Sequence, residues 1–186
     1  RVTGATGIDA IAHALESYVC TKSNPMSRMY AREAFALLDG AFERVLATPG
    51  DVDARSAMLL GAHYAGAAIE NSMLGAAHAA ANPLTARHGL QHGHAVGLML
   101  PHVVSYNAAE RPHAYDGLGT RDAADLVARV GALRAAAGLP MRLREEGIAE
   151  TDIAVLAEMA AEEWTGKYNP RPVTSDDFVA LYTAAL

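Results

Sequence analysis

Asp9 and His13 stand four residues apart within Gly7–Tyr18, GIDAIAHALESY. On a helix that spacing puts both side chains on one face. A second stretch, Asn71 to Asn107, holds five of the eight histidines and four of the sixteen glycines, with almost no charge. In it His78 and His92 are fourteen residues apart, with Pro83 and Gly89 between them. That proline and glycine argue against one straight helix. One helix and the start of the next would bring both rings to one point. Carboxylate and imidazole together suit borderline divalent cations such as zinc and ferrous iron. If the two stretches meet, one aspartate and three histidines around such a cation leave a net charge of about +1 and room for an oxygen ligand. A carbonyl bound there would be polarised, and an alcohol made more acidic.

Each of these residues also has an ordinary structural reading. Asp9 can be a helix-dipole partner in a first turn. His13 can be a half-buried ring bonded to a carbonyl, and His78 and His92 can be satisfied core histidines. Glu16 is either an acceptor that supports His13 from behind or half of a salt bridge to a lysine or arginine. Asn82 lies one turn after His78 and should face the same way. His63, His94, His102 and His113 read as structural or surface residues.

The elements that must position these groups read as helices. Alanine is abundant, aromatics are 6% and β-branched residues are few, which favours close-packed helices over sheet. A first helix runs from Gly7 to Cys20, with Thr3, Thr6 and Gly7 as its entry and Ile8, Ile11, Leu15 and Val19 as its stripe. Asn24-Pro25 starts the next, about Met26 to Leu46. Asp51 or Asp53 opens a third, with an apolar face of Met58, Leu59, Ala62, Ala65, Gly66 and Ile69. The central stretch gives a helix from about Leu74 to Arg87, a turn at Gly89–Gly93, and another helix from His92 that Pro101 should kink or end. Glu110 to Gly119 reads as loop. An amphipathic helix spans Arg121 to Ala137, with Arg121, Arg129 and Arg134 on a solvated face. It is closed by Gly138-Leu139-Pro140. Thr151 caps a helix over Asp152–Trp164, Lys167–Val173 is an irregular link, and Thr174 or Ser175 starts the last helix. Met26, Met29, Met58, Met73 and Met99 are read as core fillers.

With 51% hydrophobic residues the 186-residue chain can bury a sizeable core. A net charge of −6 argues against nucleic-acid binding. No apolar run reaches membrane-spanning length. The single Cys20 fits a reducing compartment. There is no glycine-rich phosphate loop. A ready-made helix entry at Arg1 gives the chain the look of a piece of a longer protein.

GIDAIAHALESY resembles the G-x-D-A-x-x-H-x-x-E-x-Y run of the iron-containing (group III) alcohol dehydrogenases. LGAAHAAANPL and HGHAVGLMLPHVVSYN are similar to the second region of that family, and Tyr168 to Pro170 to its tail. The resemblance covers most of the chain. It implies that Asp9, His13, His78 and His92 bind one metal, usually Fe2+ and sometimes Zn2+. It implies an all-α helical bundle, the C-terminal domain of the dehydroquinate-synthase-like fold, over residues 1–186. The nucleotide-binding domain would lie N-terminal to it, outside this chain. It further implies hydride transfer between a small alcohol, aldehyde or keto substrate and NAD or NADP, in a cytoplasmic homo-oligomer. The chain alone would be inactive, a metal-binding helical module. Maleylacetate reductases and glycerol dehydrogenases share the fold. Asn71 and Leu74 match positions near the interdomain cleft. Two departures stand out: Asn82 occupies a place where many members carry a histidine facing nicotinamide and substrate, and His88 one where an aromatic is common. An amide orients a substrate oxygen but cannot relay a proton; His88 is the candidate to replace that relay.

Overall fold

The structure, a computed structural model, describes residues 2–186. Eight α-helices follow in order: α1 (Val2–Val19), α2 (Pro25–Ala47), α3 (Val52–Glu70), α4 (Ala76–His88), α5 (His92–Glu110), α6 (Ala123–Ala136), α7 (Ile153–Glu162) and α8 (Ser175–Ala185). Short 3-10 turns cover Leu143–Glu146, Glu150–Asp152 and Trp164–Tyr168. No strand occurs among the described residues, so the fold is all-α. None of the described helices is long and apolar enough to cross a membrane.

The core is organised around α1, which packs on α2, α3 and α5. Ile8, Ile11 and Leu15 are fully buried, as the stripe of the sequence predicts. The helix begins earlier than the expected entry at Gly7. Thr6 does not cap it; its hydroxyl donates to the Val2 carbonyl within the helix. Tertiary packing explains why two glycines lie inside a helix despite their poor propensity. A Cβ on Gly4 would stand 2.7 Å from the Ala137 Cβ, and one on Gly7 2.7 Å from the Phe42 ring.

Other boundaries follow local chemistry. The Asn24 side chain accepts from the Met26 and Ser27 amides, with Pro25 in the first turn. Asp51, Asp122 and Thr174 cap α3, α6 and α8 in the same way. Thr151 does not cap α7: a 3-10 turn precedes that helix, and the Asp152 carboxylate reaches back to the Ala149 amide. Nor does Pro101 end α5, which continues to Glu110. The helix is held on both sides by neighbours, and that burial outweighs the backbone hydrogen bond lost at the proline.

Three surface assignments also change. The buried stripe of α3 is Ala54, Gly61, Ala65 and Ala68, while Leu59 is 76% exposed. Gly61 sets that register, because a Cβ there would meet Leu38 at 2.8 Å. Met26 and Met29 point outward from α2 instead of filling the core. Arg134 is 2% exposed, tucked beside Gly97 of α5, with its Nη2 donating to the Pro140 carbonyl at 2.8 Å. It follows Val130 by one turn and shares the buried side of α6. Arg129 bridges to Asp39 and Glu43 of α2.

Candidate metal centre

Three helices meet at Asp9. The carboxylate and His13 project from successive turns of α1. His78 comes from the first turn of α4, and His92 opens α5. Helix α4 runs through Pro83 and stops at Gly89, whose φ of 70° is the left-handed conformation that glycine accepts at a helix end. The chain then re-enters helix at His92, so the two rings come from different helices. Gly93 lets α5 touch α1: a Cβ there would lie 2.2 Å from the Ala5 carbonyl oxygen and 2.9 Å from the Asp9 Cβ. Gly97 repeats the close approach one turn on, against Ile8.

Around Asp9 Oδ1 the Nε2 atoms of His78, His13 and His92 stand at 3.5, 3.7 and 3.9 Å. Ligand atoms of Asp9, His78 and His92 all lie within 4.8 Å of one another. His13 joins them through Asp9 and stacks on His78, with ring centroids 4.9 Å apart and planes at 20°. Bonds of about 2.0–2.2 Å in a tetrahedral site separate the ligand atoms by roughly 3.3–3.6 Å. The spacings are therefore those of groups that could share one cation. Asp9 Oδ1 and His78 Nε2 are both buried without a hydrogen-bond partner. A distance of 3.5 Å is too long for a good hydrogen bond between them. Orphaned buried polar atoms are costly, and a divalent cation between them would remove that cost. The donor set of one carboxylate and three imidazoles suits iron(II) or zinc. Side-chain exposure runs from 4% at His78 to 38% at His92, so the cluster is closed behind and open in front.

Electrostatics ready two of the rings for a cation and leave the third holding a proton. Burial pushes the Asp9 carboxyl up, but the His78 contact and the neighbouring imidazoles outweigh it and hold it below its ordinary value. Burial, with the His78 charge, presses His13 down to about 4 against the pull of Asp9 and Glu16. Burial also lowers His92, opposed by Asp9. These two rings are thus neutral near pH 7 and keep a lone pair for a metal. Burial works against a charge on His78 as well, yet the carboxylates of Glu16 and Asp9 overcome it and raise the ring to about 9, so a cation at Nε2 would take the place of a proton there.

Glu16 lies behind the cluster and serves His78, not His13. Its Oε2 is 2.5 Å from His78 Nδ1, and its Oε1 accepts from the Ala77 amide at 2.6 Å. No lysine or arginine pairs with it among the described residues. Three further supports had no role assigned from sequence, although Asn107 and Asn169 lie in stretches that resemble the family. Asn169 Oδ1 accepts from the Ala76 amide, and the Asn169 amide donates to Asn107 Oδ1 at 2.6 Å. Asn107 in turn donates to the buried Tyr115 hydroxyl.

Asn82 is half-buried and its amide nitrogen donates to Glu163 Oε2 at 2.8 Å, which leaves Oδ1 as its free acceptor. His88 is half-buried at the last residue of α4. Asn71 is exposed and ends α3, accepting from the Asn24 amide side chain; Leu74 is half-buried. His94 is buried and pairs with Glu146 at 3.0 Å, while His63 and His113 are exposed.

Comparison with known proteins gives a consistent picture. A family model described as "Fe-containing alcohol dehydrogenase family, C-terminal" matches residues 3–186. The chain is 33% identical to the 1,3-propanediol dehydrogenase of Citrobacter freundii, over 99% of its own length and 51% of that protein. It is similar to a solved 1,3-propanediol oxidoreductase, with a TM-score of 0.93 and 30% identity over 98% of this chain and 51% of the other. It is also similar to the sulfoacetaldehyde reductase of Bifidobacterium kashiwanohense solved with NAD+, with a TM-score of 0.90 and 25% identity over 99% of this chain and 50% of that one. The chain spans about half the length of the relatives it matches.

Proposed function

The chain belongs to the iron-containing alcohol dehydrogenase family, and from that premise we propose that it is the metal- and substrate-binding half of an NAD(P)-dependent alcohol dehydrogenase. The reading takes residues 1–186 as one C-terminal helical domain, completed by an N-terminal nucleotide-binding domain. Asp9, His13, His78 and His92 would hold the metal, iron(II) in keeping with the family description or zinc by the same donor set. The observation that carries this is the convergence of three imidazole nitrogens on one buried carboxylate oxygen, within 3.9 Å.

When bound, the metal supplies a Lewis acid that polarises a carbonyl oxygen, or makes a hydroxyl more acidic, for hydride exchange with the nicotinamide. The residues of the chain do the rest. The neutral rings of His13 and His92 and the ionised Asp9 present lone pairs together. The open side at His92 admits a small substrate. Asn82, held by Glu163 through its amide nitrogen, offers Oδ1 to accept a hydrogen bond from a substrate hydroxyl. It cannot pass a proton on. The relatives act on small oxygenated substrates, a diol and an aldehyde by name, and a small alcohol, aldehyde or keto compound is the substrate class proposed here. A reducing, cytoplasmic setting agrees with the single buried thiol, Cys20.

Metal analysis tests the assignment. The chain should bind one equivalent of iron(II) or zinc, and His78→Ala or His92→Ala should lose most of it. Unchanged metal content in both variants would overturn the ligand set.

A further inference from the structure

The buried carboxylate of Glu16 has no cationic side-chain partner other than His78 among the described residues, and it is 3% exposed. Such burial requires a full set of hydrogen bonds. Both oxygens are engaged, one with the Ala77 amide and the other with His78 Nδ1. Gly75 permits this approach. It precedes α4 and has no side chain to cap it, and a Cβ there would stand 3.0 Å from Glu16 Oε1 and from Asn169 Oδ1. The first turn of α4 is therefore capped by α1 and by the link after α7, 61 and 93 residues away in sequence.

We propose that Glu16 is a positioning residue of the metal centre. Its carboxylate fixes which nitrogen of His78 carries the proton and which way the ring points. Oε1 already accepts from the Ala77 amide, and a carboxylate that accepts at Oε2 as well draws a proton to Nδ1 across the 2.5 Å contact. Nε2, the atom aimed at Asp9, is then the one that gives up its proton and presents its lone pair when a cation binds. Through the Ala77 amide the same carboxylate also anchors the backbone that carries His78, one residue away. This inference rests on the metal-centre reading above and adds to it a residue that touches no metal.

Glutamine at this position keeps the volume and offers only one accepting oxygen. If that oxygen takes the Ala77 amide, the NH2 group faces His78 Nδ1. The ring proton is then driven to Nε2, where it opposes a metal. If the amide turns over, the α4 amide loses its acceptor. Either way the site is damaged while packing is kept.

The test measures zinc affinity of the chain and of Glu16→Gln by chelator competition, with helix content followed by circular dichroism. We expect a ten- to hundredfold weaker affinity in the variant at unchanged helicity, the usual range for loss of such a supporting partner. Affinity within twofold of the parent would overturn the inference while leaving the metal centre intact. Absence of zinc binding in the parent would overturn the metal-centre reading and this inference with it. Nitrogen-15 NMR of the zinc-loaded parent needs no variant to fold. His78 should carry its proton on Nδ1, shared with Glu16, and a ring protonated elsewhere would refute the proposal.

Discussion

Gly93→Ala is the smallest change that should separate the helices at the candidate metal centre. The added Cβ would stand 2.2 Å from the Ala5 carbonyl oxygen and 2.9 Å from the Asp9 Cβ. Neither is the free end of a flexible side chain, so the start of α5 must withdraw. Ordinary carbon–oxygen contact requires a retreat of about 1 Å. His92 is the preceding residue and moves with it, taking its Nε2 from 3.9 Å to roughly 5 Å from Asp9 Oδ1, whereas metal–ligand distances hold to about 0.2 Å. Overpacking costs about 1–3 kcal/mol, and alanine recovers at most about 1 kcal/mol over glycine within a helix. The net expectation is a loss of up to about 2 kcal/mol in stability and at least tenfold in zinc affinity. Gly131→Ala on α6 is the control, because a Cβ there meets nothing within 4 Å. It should raise stability slightly and leave zinc affinity alone. Chelator competition and thermal melts of the metal-stripped proteins read both effects. Gly93→Ala behaving like Gly131→Ala would refute the claim that backbone contact between α1 and α5 sets the position of His92.

Two further predictions concern the scaffold. Burial and the charges of Arg134 and Arg142 push His102 below its ordinary value of 6.5. The unfolded chain therefore takes up this proton before the folded one, so stability is full above 6.5 and is lost as pH falls below that value. Melting temperatures between about pH 7 and 5 should fall less steeply in His102→Gln, and equal slopes would refute the account. The buried Tyr182 hydroxyl donates to the Ala80 carbonyl of α4 at 2.6 Å. Tyr182→Phe should cost about 1 kcal/mol, a drop of about 2–4 °C in melting temperature. No measurable drop would show that this bond does not help hold α8 against α4.

Much of this protein can be read along the chain, because the controlling interactions are local. The stripe Ile8, Ile11, Leu15 follows from the helical repeat, and the caps at Asn24, Asp51 and Thr174 from side chains that reach amides two or three residues on. The same repeat puts Asp9 and His13 on one face. Whether that pair meets His78 and His92 is not a local matter, and only the resemblance to a known family made it an expectation. The packing of α5 against both α1 and α4 brings the three imidazoles within reach of Asp9 Oδ1. Tertiary structure alone assigned Glu16 to His78, sixty-two residues away, when sequence proximity pointed to His13. It buried Arg134, carried α5 through Pro101 and turned Leu59 outward. The common reason is that periodicity ranks the faces of a single helix, whereas burial depends on which neighbours approach it. Here those neighbours are admitted by glycines 61, 75, 93 and 97, whose missing side chains make room for partners far away in the sequence.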